Sequence, residues 1–349
     1  MSNLCCQHCF TEKNIGQFIS NLGGDNGSCS YCEMENVILI EPSKVFQFIE
    51  KIDFGLEQND DGSNLFDILN SGFHFFEDRV LNKESLFQSI LVGSEALLEK
   101  KYRIPNSLEI QSGWGEFSKE IKEQNRFFPQ TSLYKKLFTN AKEGNDAQTE
   151  IFNLLLDSLA KNYSTGRLFY RARVHEDRLT ISEMRAPPAK IVTAGRANPI
   201  GISYLYLAEN EQTCIAEVRP SNGCMVSVAT FKLKENLRFL DLTEPRKRAC
   251  FLTQESENLI DSLIHIDLLE IFATELSKPV LPNRSHLDYI PTQFLCEYFK
   301  AVCNFNGLIF NSSFGRGKNI VLFDQSLVDD VSMNYYNISS IDHSYNRAS

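Results

Sequence analysis

The chain has 349 residues, enough for about two domains at roughly 100–200 residues each. Its 42% hydrophobic and 23% charged content is that of a globular chain, and a net charge of -10 disfavours extended contact with nucleic-acid phosphates. No basic segment followed by an apolar one opens the sequence, and no apolar run approaches the roughly 20 residues of a membrane span, so the expectation is a soluble cytoplasmic protein.

Residues 1–42 carry a cysteine cluster: Cys5, Cys6, Cys9, Cys29 and Cys32. "CQHC" and "CSYC" form a C-x2-C…C-x2-C pattern with nineteen residues between the pairs. Each pair presents two thiolates from a tight turn, and the gap lets both turns meet on one tetrahedral Zn2+ through Cys6, Cys9, Cys29 and Cys32. Four thiolates leave no open coordination position, so this metal would fold the segment rather than catalyse. Cys5 and His8 read as neighbours of the site. Five acids (Glu12, Asp25, Glu33, Glu35, Glu41) against one lysine, Lys13, argue against a phosphate-binding face. The module reads as a structural cap or a protein-contact element.

From residue 43 to 163 the pattern is mainly helical. "SKVFQFIEKI" places Val45, Phe46, Ile49 and Ile52 on one face, and "TEIFNLLLDSLAKNY" repeats that spacing. "EQNDDGSN" and "NAKEGNDAQ" read as loops between helices. This segment lacks the arginine-to-histidine motif of an RNase and is assigned no catalytic role.

From residue 164 to 330 the character turns to mixed α/β. "GRLFYRARV", "SYLYLAE", "CMVSVATFKL", "LRFLDLT", "NGLIFNSS" and "NIVLFD" read as strands. "NEQTCIAEV" reads as a two-turn helix, a long helix runs from about Glu255 to Ser277, and another starts at Pro291. Residues 331–349 have no clear period and read as a loosely packed tail. Cys214, Cys224, Cys250, Cys296 and Cys303 sit in apolar contexts and read as reduced, mostly buried thiols. His74, His175, His265 and His286 show no ligand-like spacing and read as structural or surface groups.

The segment "AGRANPIGISYLYLAE" has two glycines flanking Arg196 but is no phosphate loop. A P-loop needs G-x4-G-K-[ST] opening a helix, and here the glycines lead into a strand with no lysine–serine pair. An anion at this point would be held by the Arg196 guanidinium, which grips phosphate bidentately. Arg171 and Arg173 in "FYRARV" fall on one face of their strand by alternation. Tyr206 and Glu217 follow in "LYLAENEQTCIAEV", and Ser312 and Ser313 end an apolar strand in "IFNSSFGRGKNIVLF", with Arg316 and Lys318 just beyond.

These stretches resemble the RES-domain family over roughly Arg167 to Asp324. "GRANPIGISYLYLAENEQTCIAEV" is similar to its G-R-x-N-x-x-G…Y-L-A…E pattern, and "GLIFNSSFGRGKNIVLF" to its G-I-x-Y-x-S-S…G-x-N-x-V-L-F ending. "YIPTQFLCEYFK" is similar to the helix before that ending. The cysteine and helical segments resemble the extension of longer members. The chain departs from the pattern at Ala197, where an aromatic is common, and at Asn311, where proline is common.

The resemblance implies an α+β fold related to ADP-ribosyltransferases and an activity that destroys NAD+ at the nicotinamide–ribose bond, with water or inorganic phosphate as acceptor. It implies Arg171 and Arg196 as anion-binding groups, Tyr206 as a wall of the nicotinamide–ribose pocket, Glu217 as the central carboxylate and Ser312 as the serine. Arg173, Ser313 and Asn319 are implied as further contacts to NAD+. It also implies a toxin or phage-defence effector restrained by an antitoxin or regulatory protein. Transfer of ADP-ribose to a macromolecule, or nucleotide binding without turnover, are the rival expectations.

Overall fold

The computed structural model describes residues 3–104, 107–139, 147–249, 256–278, 285–314 and 316–340. Cys250, residues 140–146 of the expected "NAKEGNDAQ" loop, the expected helix start at Glu255 and residues 341–349 of the expected tail lie outside them. The chain divides into two units. One is built from Met1–Gly115, Thr131–Leu159 and Glu244–Glu270, and the other from Glu116–Gln130, Ala160–Thr243 and Ile271–Ser349.

The first unit is mainly helical. Its N-terminal end closes through a backbone bridge between Cys5 and Ile40 and a two-residue ribbon, β1 (Asn26–Gly27) with β2 (Val37–Ile38). The helix Phe46–Gly55 turns Phe48, Ile49 and Ile52 inward, with Val45 buried just before it. Lys83–Ile90 starts at Asn82, whose side chain accepts from the Ser85 amide as an N-cap. Phe10, Phe75 and Phe76 pack together at ring separations of 5.0 to 6.3 Å.

Two loop or helix readings are corrected here. "EQNDDGSN" forms β3 (Glu57–Asn64), paired with β4 (Lys101–Arg103), although its middle leaves the register between Gln58 and Ser63. The helix over "TEIFNLLLDSLAKNY" stops at Ser158, and Ala160–Tyr163 becomes strand β5. Tyr163 packs edge-on against Phe169 and Phe239, so burial of an aromatic on a pleated surface overrides the helical spacing.

The second unit holds an eight-stranded sheet in the order β12-β8-β6-β7-β11-β10-β9-β5. Its strands are β6 (Leu168–Val174), β7 (Leu205–Ala208), β8 (Met225–Leu233), β9 (Leu237–Asp241), β10 (Gly307–Asn311), β11 (Lys318–Leu322) and β12 (Val328–Asn337). All neighbours run antiparallel except β9 and β10. One face buries Phe169, Leu205, Leu207, Phe231, Phe239, Ile309 and Ile320 in a single apolar cluster. On the other face Ala172, Ala208, Val226 and Val228 pack with Cys214 of the Glu211–Glu217 helix. The expected tail is in part an edge strand: β12 pairs with β8 from Val328 to Asn337. Most of its side chains stay exposed, which is why no hydrophobic alternation marks it.

Among the described residues, no helix is long and apolar enough to cross a membrane. The helix Ser256–Ser277 belongs to the core: Leu263, Ile264, Ile266, Leu268 and Leu269 are all buried. His265 lies among them with neither ring nitrogen hydrogen-bonded, edge-on to Phe152 at 5.1 Å. Burial, assisted by Lys136, lowers its pKa to about 3 from 6.5. The folded state thus keeps this ring neutral while the unfolded chain protonates it near pH 6.5. Below that pH the unfolded state binds more protons, so stability falls with acid by about 1.4 kcal/mol per pH unit. His265→Leu is expected to flatten the loss of stability between about pH 6.5 and 4 in urea unfolding. Parallel pH profiles for the two proteins would refute this.

Candidate active site

β6 pairs with β8 along its whole length, from Leu168↔Lys232 to Val174↔Val226, yet it meets β7 at one pair alone, Tyr170↔Ala208. β7 pairs instead with β11 over four residues. The sheet therefore parts between β6 and β7. A cavity of about 300 Å³ is lined by both strands, the Glu211–Glu217 helix, Arg196, Phe310 and Asn319. Among the candidate residues, Arg171, Arg196, Tyr206, Glu217 and Asn319 all line it.

The short helix delivers Glu217 by firm capping. Asn210 accepts from the Thr213 amide at 2.8 Å, and the Thr213 hydroxyl lies 3.0 Å from the Arg316 carbonyl. A Cβ at Gly317 would run into Thr213, so only glycine lets the 312–317 loop approach this closely. Glu217 is the last residue of the helix. Its Oε1 accepts from the Ser312 hydroxyl at 2.5 Å and from Asn319 Nδ2 at 2.8 Å. Both donors use the same oxygen, which leaves Oε2 to a ligand. The guanidinium of Arg219, two residues on, stacks over Phe314 at 4.0 Å and ties the helix end to the Ser312 loop.

Arg171 is half-buried in the seam, where it donates to the Tyr206 carbonyl at 3.4 Å. Burial, and then the nearby Arg173, lower its pKa to about 10, so it stays cationic at neutral pH. Among the described residues no carboxylate lies within ion-pair distance of Arg171, Arg173 or Arg196. Arg171 and Arg196 bring two guanidinium groups with no carboxylate partner to one cavity, a charge arrangement suited to anionic groups.

Arg196 sits on a loop held from several sides. The Tyr206 hydroxyl donates to Asn198 Oδ1 at 2.8 Å and accepts from the Ala197 amide at 3.0 Å. Burial raises the Tyr206 pKa above its usual value, so the phenol keeps its proton for this bond. Asn198 Nδ2 lies within 3.0 to 3.2 Å of the carbonyls of Thr193, Pro199 and Ile202. From the helix Ile290–Ala301, Gln293 donates to the carbonyls of Gly195 and Asn198, and Thr292 to that of Arg196. These three positioning residues were not singled out from the sequence, although each stands inside a motif quoted there, "GRAN" or "PTQFLCEYFK".

The remaining candidates are placed elsewhere. Ser313 is exposed and its hydroxyl donates to the Ser277 carbonyl, so of the adjacent serines only Ser312 reaches Glu217. Arg173 lies on the same strand as Arg171 but lines a second cavity. The Lys318 ammonium lies 3.7 Å from buried Asp241.

In the first unit, the sulfurs of Cys6, Cys9, Cys29 and Cys32 lie within 4.8 Å of one another, close enough to hold one metal ion. The shortest separations, 3.4 Å for Cys9–Cys29 and 3.5 Å for Cys6–Cys32, exceed a disulfide bond and approach the ~3.8 Å between ligands in a tetrahedron of ~2.3 Å metal–sulfur bonds. Cys5 and His8 are not in the group.

A mixed sheet parted over a carboxylate, a serine, an asparagine and two arginines defines an α+β domain with a polar cavity in its seam. Residues 168–339 match the family model of the RES domain, and the chain carries a RES domain there. No curated protein matches the chain. Among solved structures it is similar to a chain in the crystal structure of the M. tuberculosis MbcT–MbcA toxin–antitoxin complex. The identity is 15%, covering 55% of this chain and 94% of that one, with a TM-score of 0.31.

A Cβ at Gly195 would sit 2.5 Å from Asn198 Oδ1 and 2.6 Å from the Tyr206 hydroxyl, so alanine there must open the Tyr206–Asn198 bond. Gly195→Ala is expected to lower unfolding free energy by about 1–3 kcal/mol in urea titrations. A variant as stable as the parent would show that the loop is not held this way.

Proposed function

We propose that the chain is an NAD+-consuming enzyme that cleaves the nicotinamide–ribose bond, with residues 164–330 as its catalytic domain. The observation that carries this reading is Glu217 in the seam cavity, its Oε1 fixed by Ser312 and Asn319 and its Oε2 open, with Arg171 and Arg196 on the same cavity wall. The RES domain over residues 168–339 supports it.

The chemistry follows from the residue types. As the bond between the ribose C1′ and the pyridinium nitrogen lengthens, its electron pair goes to the ring nitrogen and positive charge builds on the ribose. Glu217 Oε2 faces that charge, and a carboxylate already held by two donors needs no reorganisation to stabilise it. The pyridinium departs as neutral nicotinamide, so no acid is needed to protonate it. The acceptor oxygen of water or phosphate then bonds to C1′, water giving up one proton. Arg171 and Arg196 bind the diphosphate or an attacking phosphate, and Tyr206 closes the pocket wall while its hydroxyl anchors the Arg196 loop. Ser312 acts through Glu217 as a positioning residue.

An activity that drains NAD+ needs restraint in its own cell, by an antitoxin or another regulatory protein, as for a toxin or phage-defence effector. Residues 1–42 would be a zinc module, because four clustered thiolates suit Zn2+ and leave no position open for substrate. Residues 43–163 would be a helical domain.

The test is incubation of purified protein with NAD+, with and without phosphate, the products resolved by mass. Free nicotinamide with ADP-ribose or its 1″-phosphate is expected, and Glu217→Gln is expected to reduce the rate about 10²–10³-fold. Intact NAD+ would refute the activity, ADP-ribose attached to a macromolecule would replace cleavage by transfer, and an unimpaired Glu217→Gln would refute the site. Elemental analysis is expected to find one zinc per chain. Cys9→Ser is expected to lose it and to unfold at lower temperature. A metal-free parent of unchanged stability would remove the zinc from the description.

A further inference from the structure

The helix that carries Glu217 runs only from Glu211 to Glu217, about 10 Å from end to end. Two turns form no stable helix alone, so its direction is set by what grips it from outside. Its C-terminal end is gripped by the Ser312 loop, through the Ser312–Glu217 bond and the stacking of Arg219 on Phe314. Its first turn is gripped from a distant part of the chain. Glu211 Oε1 accepts from Asn334 Nδ2 at 3.0 Å, and Glu211 Oε2 accepts from the Tyr336 hydroxyl at 2.5 Å. Both donors stand on β12, an edge strand of the sheet.

Alternation along β12 makes this a directed contact. Asn334 and Tyr336 lie opposite Val228 and Val226 of β8, and Tyr336 and Ile338 pack on the apolar cluster that includes Cys214 of the same helix. Tyr335, between them, faces the other way: its hydroxyl donates to the Leu179 carbonyl. Two residues before it, Met333 packs on the cluster of the opposite face. One face of the edge strand thus serves the helix alone. Both Glu211 oxygens are committed, and a carboxylate held by two donors cannot swing without breaking one of them. The helix is therefore fastened at its first residue to β12 and at its last to the loop between β10 and β11. Over about 10 Å, a tilt of about 6° displaces one end by about 1 Å, a misplacement that can cost about 10²-fold in rate.

We infer that Asn334 and Tyr336 are positioning residues for the Glu217 carboxylate, acting through Glu211 and the helix between the two acids. This rests on the catalytic reading of Glu217 and adds to it what sets the direction of that side chain. The edge strand is then part of the catalytic apparatus although it lines no part of the seam cavity.

The test uses full-length protein carrying Asn334→Ala and Tyr336→Phe together. Asn334 is exposed and the phenyl ring keeps its place in the apolar cluster, so both changes spare the packing of the strand. In turnover of NAD+ the pair is expected to lower kcat about tenfold with KM within twofold of the parent. Amide hydrogen exchange is expected to quicken tenfold or more at Cys214 to Glu217 and to stay within twofold along β8. Tyr335→Phe removes a hydroxyl from the same strand but not from the helix, and is expected to change neither readout. Added to Glu211→Ala, the pair is expected to change kcat less than twofold further, because all three residues act through one carboxylate. Unchanged exchange at Cys214 to Glu217, an equal effect of Tyr335→Phe, or full additivity with Glu211→Ala would overturn the inference. If the parent leaves NAD+ intact the catalytic reading fails, and exchange in the helix still decides whether β12 holds it.

Discussion

The parting of the sheet between β6 and β7 is the constraint on which the candidate site depends. Full pairing would bring the two strands within about 5 Å and fill the space with backbone hydrogen bonds. Instead Tyr170↔Ala208 is the one pair, and β6 takes its support from β8 while β7 takes its support from β11. Each strand is thereby rigid without the other, and the gap persists as a cavity rather than collapsing. The Arg171 guanidinium crosses it to the Tyr206 carbonyl, giving an unpaired edge group a partner that a strand would otherwise supply.

Around that gap the functional groups are held from opposite sides. Glu217 is fixed from the far side by Ser312 and Asn319, at the two ends of the loop that joins β10 to β11. Arg196 is fixed through its carbonyl by Thr292, with Asn198 and Gln293 holding the loop on either side, and its side chain is left unpaired. Rigid backbone with uncommitted charge is what an anion-binding site requires, since protein ion pairs would have to break before a ligand could bind. Hence the buried polar residues near the site, Asn198, Thr292 and Gln293, spend their hydrogen bonds on carbonyls rather than on the charged side chains.

Much of this was legible in the sequence, for physical reasons that differ by residue. The core strands β7 to β11 announce themselves as apolar runs bounded by turns, because most of their side chains on both faces are buried. The edge strands β5 and β12 do not: Ala160–Tyr163 follows a helix without a break, and Val328–Asn337 is mostly solvent-facing. In the site, the motif residues Arg171, Arg196, Tyr206 and Glu217 were found together. The choice between Ser312 and Ser313 was not readable, because adjacent residues at the end of a strand point to opposite sides and only the fold shows which side holds Glu217. The division between Arg171 and Arg173 escaped for a related reason. Strand alternation puts both on one face but says nothing of where a cavity wall falls between them.

Glu217 ends its helix, where the backbone carbonyls already concentrate negative potential. A carboxylate there is a poor choice for folding, worth about 0.3–1 kcal/mol against the native state before Ser312 and Asn319 offset it. In the reaction proposed above, the same potential would suit a cationic ring and a ribose gaining positive charge, and would lose its hold once the ring had become neutral. Substrate attraction and product release would then share one origin. On folding grounds alone a neutral residue would serve better at the end of this helix, so the stability of the fold does not account for an acid there.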